Sequence, residues 1–362
     1  MSELEKKELT PEAAPTTAAP EAAPAAPNES AITYPDMLTV SPNPHMKDDM
    51  TTRRIMLKVI VALLPAAIWG VYAFGLRAAA ILILATGSAI FFEFAAQKVL
   101  KKNITVSDCS AAVTGLLIGM NLSPTVPLWL PVVGSFFAIV VVKQLFGGIG
   151  KNIVNPALAA RVFMFAWPQR MGAFVGFGER ISSLSINFSD YDAVSSATPL
   201  AALKQGAVPE GTTYFDMFVG NVGGTIGEIS ALLLILGGLY LLFTKVITWH
   251  IPVAYIGTVA VLSLAFPKLD ARFDYMLFEL FAGGLMLGAF FMATDYATSP
   301  VTPKGRLIYG VGCGLITVFI RLFGGYPEGV SFSILIMNLL AWYIDKFTIP
   351  KRFGGKSDGK QK

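Results

Sequence analysis

Between Arg53 and Pro350 the chain is a succession of apolar stretches, each close to the roughly 20 residues a helix needs to cross a hydrocarbon layer. They fall at 55–73, 78–97, 106–121, 127–146 and 152–168. After a polar stretch at 169–226 they resume at 227–244, 250–266, 276–294, 305–323 and 330–348. In lipid a backbone must satisfy its own hydrogen bonds, so a serial pattern of this kind calls for helices. The expectation is an all-α integral membrane protein with about ten transmembrane helices. Composition agrees: 54% of residues are hydrophobic and 14% are charged, against about 25% charged in a soluble domain. An ordinary soluble enzyme and a disordered chain are both excluded.

The formal net charge of +4 is too small to argue for nucleic acid as a partner. Its distribution is more informative. If the N-terminus is inside, the inner segments hold Arg53, Arg54, Lys98, Lys101, Lys102, Lys143, Lys151, Lys245, Lys304, Arg306, Lys346, Lys351 and Arg352. The outer segments hold fewer, and these are interspersed with acids. That bias places both termini in the cytoplasm and the 169–226 loop outside a bacterial or archaeal inner membrane. The first apolar run begins near Ile55, behind a long charged stretch, so the N-terminus is not expected to be exported as a signal peptide. The two cysteines, Cys109 and Cys313, have no CxxC partner, and the two histidines, His45 and His250, stand alone. Neither an iron–sulfur cluster nor another metal centre held by this chain is expected.

Residues 1–52 contain the Ala/Pro-rich run Thr10 to Pro27 and read as a disordered cytoplasmic tail. The remaining divisions are a first five-helix repeat at 53–168, the outer loop at 169–226, a second five-helix repeat at 227–350 and a basic cytoplasmic tail at 351–362. The repeat rests on two echoes. FGGIGKNIVNPALAARVF (Phe146 to Phe163) resembles FGGYPEGVSFSILIMNLL (Phe323 to Leu340), and TGLLIGMNLSP (Thr114 to Pro124) resembles GGLMLGAFFMATDYATSP (Gly283 to Pro300). An odd number of helices per repeat makes the halves antiparallel, an arrangement that puts binding sites near the midplane beside interrupted helices.

Three groups of residues can carry chemistry. In DAVSSATPLAAL (Asp192 to Leu203) the hydroxyls of Ser195, Ser196 and Thr198 precede a proline, a pattern that also makes a helix cap. No histidine lies in the loop to act as base, which argues against a serine nucleophile. In GGIGKNIVNPA (Gly147 to Ala157), Asn152 and Asn155 share a face if the segment is helical. Their mixed donors and acceptors suit a planar heteroaromatic, and equally suit glue between helices. The Gly-rich run is no P-loop, since Asn152 follows Lys151. Ionisable residues within or near the spans are Glu93, Lys98, Asp108, Lys143, Arg161, Glu279, Asp295 and Arg321. Intramembrane charge is costly, and Glu93 and Asp295 are the candidates for an ion path.

DAVSSATPLA together with GGIGKNIVNPALAARVF, on a chain of many spans, resembles the RnfD/NqrB family over most of residues 53–350. These are membrane subunits of the Rnf ferredoxin:NAD oxidoreductase and of the Na-translocating NADH:quinone reductase. The resemblance implies FMN carried as a phosphoester on Thr198, within a loop pattern that Asp192, Ser195 and Ala197 also match. Ser196 stands where glycine is commoner. The resemblance further implies a noncovalent riboflavin near the GKNxxNP segment, which carries over Asn152 and Asn155 and, more weakly, Lys151 and Gly148. The proline after Thr198 favours the RnfD branch. The function so implied is a subunit of an ion-translocating oxidoreductase, inactive alone, that passes electrons from an outer FMN to an inner riboflavin, coupled to Na⁺ or H⁺ movement. Implied partners are a flavin transferase, an outer FMN flavoprotein subunit, further membrane subunits, and cytoplasmic NAD-reactive and iron–sulfur subunits. An NqrB-like subunit serving quinone is the alternative within the family. A redox-free transporter or channel is the alternative outside it.

Overall fold

The computed structural model describes residues 50–171, 173–185, 198–207 and 212–350. Asp192, Ser195, Ala197, residues 1–49 of the N-terminal tail and the C-terminal tail lie outside them. Among the described residues the chain is helical, with no strand. The elements are α1 (Thr52–Phe74), α2 (Leu76–Val99), α3 (Ser110–Met120), α4 (Trp129–Phe136), α5 (Pro156–Met164), the short α6 (Pro168–Met171), α7 (Pro199–Lys204) and α8 (Tyr214–Val219). Then come α9 (Ala231–Phe243), α10 (His250–Ala265), α11 (Arg272–Phe281), α12 (Leu285–Leu287), α13 (Pro303–Phe323) and α14 (Val330–Thr348). Two helices run on as π-helical turns: α4 through Phe137–Gln144 and α12 through Gly288–Met292.

Every apolar run of the sequence contains helix, but the helices are often shorter than the runs. Four are long and apolar enough to cross a membrane: α1, α2, α13 and α14. A further apolar pair, α11 with α12 and its π-turn (Leu285–Met292), is bent by 60° and forms either a broken span or a re-entrant loop. Shorter apolar helices are Ser110–Met120, Trp129–Gln144, Ala231–Phe243 and His250–Ala265. The shortening has local causes. Asn155 and Pro156 start α5 within the run at 152–168: the Asn155 side chain caps the helix and Pro156 takes the position whose N–H has no helical partner. The α11–α12 pair is interrupted at Ala282–Gly284, where Gly283 takes φ +69°, a conformation that favours glycine.

The helix contacts rely on small residues. Gly115 on α3 faces Ala85, Thr86 and Ala89 of α2, and Gly119 on the next turn faces Leu82 and Ala85. Gly310 and Gly314 on α13 do the same against Ala254, Tyr255 and Thr258 of α10. Both pairs have the glycine spacing that lets backbones approach where lipid removes the hydrophobic drive for association. A Cβ at Gly314 would lie 2.6 Å from the Thr258 Cβ. Gly314→Val is therefore expected to cost about 1–3 kcal/mol through overpacking, read as a lower thermal midpoint in detergent. Gly257→Ala is the control, since no atom lies within 4 Å of its added Cβ. Equal midpoints for the two variants would show that this crossing is not tight.

Large apolar side chains point outward from the long helices: Ile83, Phe91, Phe319, Trp342 and Phe347 are all exposed. That is the surface a lipid-facing helix presents. At the connecting segment before α9, Thr213 and Asp216 form a reciprocal cap on α8. The Thr213 hydroxyl and backbone N–H hold the Asp216 carboxyl below its ordinary value. A depressed carboxyl stabilises above its unfolded pKa, and that contribution fades as pH falls through the folded one.

Candidate functional site: two polar cavities

Thr198 sits at the mouth of the first cavity. It is the N-cap of α7, with its hydroxyl oxygen accepting from the Ala201 N–H at 3.3 Å, and Pro199 follows at the first helical position. The helix is short, so packing must hold it. Leu200 and Leu203 are buried with Met217, Tyr275 and Phe278. Lys204 Nζ donates to the Gly324 carbonyl at 2.5 Å and the Tyr326 carbonyl at 3.1 Å. Thr198 is thus fixed beside the α13–α14 turn while its side chain stays partly open.

The cavity has a volume of about 340 Å³ and is lined by Asn121, Arg161, Phe165, Phe174, Thr198, Tyr326 and Glu328 among others. One wall is aromatic. Phe165 stacks on Tyr326 with ring centroids 5.5 Å apart and on Phe332 at 5.9 Å, inclined by 30° and 13°. At another wall lies a buried ion cluster. Arg161 Nη1 donates to Glu228 Oε1 at 2.8 Å and to Asn121 Oδ1 at 2.5 Å, and Nη2 donates to Glu328 Oε2 at 2.5 Å. The other Glu328 oxygen accepts from the Gly284 N–H at 2.8 Å, in the break between α11 and α12. A charged guanidinium so buried requires such partners.

The second cavity, of about 110 Å³, lies among α1, α3, α5, α9 and the π-turn after α12. Its polar lining includes Ser110, Thr114, Lys143, Asn152, Asn155, Thr294 and Asp295. Asn152 and Asn155 both face it, but not along one helical face as their spacing suggests. Residues 151–155 are not helical. Asn155 caps α5 through its carbonyl oxygen and donates to the Met292 carbonyl at 3.1 Å. Asn152 donates to the Val154 carbonyl at 3.2 Å and lines the cavity with Asp295. Thr298 donates to Asp295 at 3.1 Å. Gly148 is buried at φ +99° in the turn before Asn152, and Lys151 is exposed with its stem over Gly147. Neither lines the cavity.

Glu93 and Asp295, separated by about two hundred residues in sequence, both lie near Lys143, which is paired with Glu93 only. Lys143 pairs with Glu93 at 2.7 Å and reaches the cavity that Asp295 also lines. Its ammonium donates to Ser110 Oγ at 2.7 Å, and Ser110 donates to Asp108 at 2.6 Å. Gln144 donates to Glu93 Oε1 at 2.9 Å, while Glu93 Oε2 has no partner among the described residues.

Sequence reasoning missed Glu228 and Glu328. Both sit in short non-helical segments, where no periodicity marks them. The available signal was Arg161 itself: a cation in an apolar run demands a carboxylate, and those two segments supply acids near helix starts.

A sequence model described as the NQR2, RnfD, RnfE family matches residues 39–354. The chain belongs to this family. Within it, the chain is 49% identical over 320 residues to the D-type subunit of the Na(+)-translocating ferredoxin:NAD(+) oxidoreductase complex of Acetobacterium woodii, covering 88% of this chain and 95% of that protein. It is 45% identical over 329 residues to the D-type subunit of the proton-translocating ferredoxin:NAD(+) oxidoreductase complex of Clostridium ljungdahlii, covering 88% and 97%. It is 38% identical over 330 residues to the D-type subunit of the ion-translocating oxidoreductase complex of Stutzerimonas stutzeri, covering 85% and 93%. The first two relatives have similar identity and carry different ions in their names, so overall similarity does not select the ion.

Proposed function

We propose that the chain is the D-type membrane subunit of an ion-translocating ferredoxin:NAD⁺ oxidoreductase and carries FMN esterified through its phosphate to Thr198. The observation that carries this reading is the Thr198 hydroxyl opening onto a cleft of about 340 Å³ with an aromatic wall. The residues fit the group. Small-molecule pockets start at roughly 300 Å³, the Phe165–Tyr326 pair offers a face for a planar ring, and the hydroxyl receives only a weak 3.3 Å backbone bond. FMN supplies one- and two-electron chemistry when bound. The chain's own contribution is to tether it, exclude bulk water with Phe165, Phe174 and Tyr326, and hold the Arg161 cluster beside it.

The polar lining of the second cavity suits the edge of a flavin ring, and the resemblance assigns a noncovalent riboflavin to this segment. Its volume of about 110 Å³ is too small for one, so entry requires the surrounding side chains to part. Asn152→Leu is expected to lower the flavin released by denaturing the purified complex, without changing the flavin that stays attached to the chain. Unchanged release would remove riboflavin from this cavity.

In the membrane this reading gives about ten helical segments as two antiparallel repeats, with both termini cytoplasmic and Thr198 outside. The contact of Asn121 with Met292 supports it, because the segments that hold these two residues echo each other between the two halves. Partners are a flavin transferase and the other subunits of the complex: an outer FMN flavoprotein, further membrane subunits, and cytoplasmic NAD-reactive and iron–sulfur subunits. The Glu93–Lys143–Asp295 set is the candidate for coupling to the ion. The test is the mass of the tryptic peptide containing Thr198, from chain produced together with its transferase. An added FMN less one water supports the assignment, and an unmodified peptide overturns it. Reduction of NAD⁺ by ferredoxin, rather than of quinone by NADH, in the purified complex distinguishes the two branches of the family.

A further inference from the structure

We propose that the Arg161–Glu228–Glu328 cluster sets the redox potential of the flavin held in the Thr198 cleft, with Arg161 raising it and Glu328 lowering it. The inference rests on the FMN assignment above. Both Arg161 and Glu328 line the cleft that Thr198 opens onto. Arg161 and Glu228 are buried, and the Glu328 side chain is 18% exposed. A ring that accepts electrons in such a place gains negative charge. A fixed cation nearby favours that gain and a fixed anion opposes it. Both effects are larger than in water because the surroundings are poorly screening.

The geometry keeps these charges from relaxing away. Asn121 at the end of α3 and Glu228 ahead of α9 hold one guanidinium nitrogen of Arg161, on α5. Glu328, in the α13–α14 turn, holds the other and is itself anchored by the Gly284 N–H. Five separate parts of the chain thus meet around one cation. The other buried arginine of this region, Arg321, meets one carboxylate, Glu279 at 2.7 Å, and otherwise bonds the Glu279 and Ala282 carbonyls. Here two carboxylates meet one guanidinium, and one of them, Glu328, lines the cleft beside Arg161.

The experiment is a spectroelectrochemical titration of the covalently attached flavin in the purified complex, for wild type, Glu328→Gln, Arg161→Gln and Arg161→Lys. The midpoint is expected to rise in Glu328→Gln, to fall in Arg161→Gln and to stay close to wild type in Arg161→Lys. Opposite shifts are what charge at the ring produces; loss of a purely structural contact moves the thermal midpoint of the protein and leaves the potential in place. Unchanged potentials, or shifts of one sign in both Gln variants, overturn the proposal. If Arg161→Gln does not assemble, Glu328→Gln still decides, because the amide keeps the shape and its oxygen can still accept from Arg161. A denatured wild-type band without fluorescence sinks the FMN assignment and this proposal together. A fluorescent band with unmoved potentials sinks this proposal alone.

Discussion

Thr198→Ala is expected to abolish the flavin that survives denaturation, leaving a dark band under ultraviolet light where wild type glows. The effect is all-or-none because the substitution removes the one oxygen to which the phosphate would be joined. The variant should still fold. Loss of the N-cap costs about 1 kcal/mol, and α7 is held independently by buried Leu200 and Leu203 and by Lys204 on the α13–α14 turn. Thr198→Ser separates the two roles of the residue. It retains a hydroxyl and the cap, so its thermal midpoint should match wild type, and any fluorescence it keeps measures how far the transferase accepts a primary alcohol. The transferase must be present throughout, and omitting it should darken the wild-type band as well. A band that glows equally in Thr198→Ala places the attachment elsewhere, and the cleft loses its assigned ligand.

The sequence shows the helices and hides their ends. Apolar runs announce helix wherever they occur, because lipid leaves the backbone few alternatives. The run at 276–294 gives no sign that it is two helices bent by 60°, since a break made by Ala282, Gly283 and Gly284 is as apolar as the helices it separates. Thr198 is legible twice over. Hydroxyl-then-proline reads as a helix start, which is its observed geometry, while the chemistry assigned to it comes only from resemblance. Asn152 and Asn155 line one cavity together, but not from one helical face: Pro156 starts the helix after both of them. Arg161 is visible in the sequence as a costly charge. Its carboxylates are not, because partners brought together by tertiary folding, 67 and 167 residues away, leave no local trace.

Lys143→Met is expected to destabilise the protein by about 3–5 kcal/mol, the usual result of removing one partner from a buried ion pair. Glu93 is 1% exposed and already has one oxygen without a partner among the described residues, so Gln144 and Gln97 alone would face its charge. That is about two to four orders of magnitude in the ratio of folded to unfolded protein, read as a lower thermal midpoint or as failure to assemble. Adding Glu93→Leu should restore much of the loss, since an apolar pair of similar volume avoids the desolvation that the ions incur. The restored double variant then separates structure from function. If Lys143 and Glu93 couple ion movement to electron transfer, a complex carrying both substitutions should reduce NAD⁺ with ferredoxin yet build no ion gradient in proteoliposomes. A gradient equal to wild type would leave the pair as a device that ties α2 to the π-turn after α4, and Asp295 would be the one remaining acid of the second cavity to test.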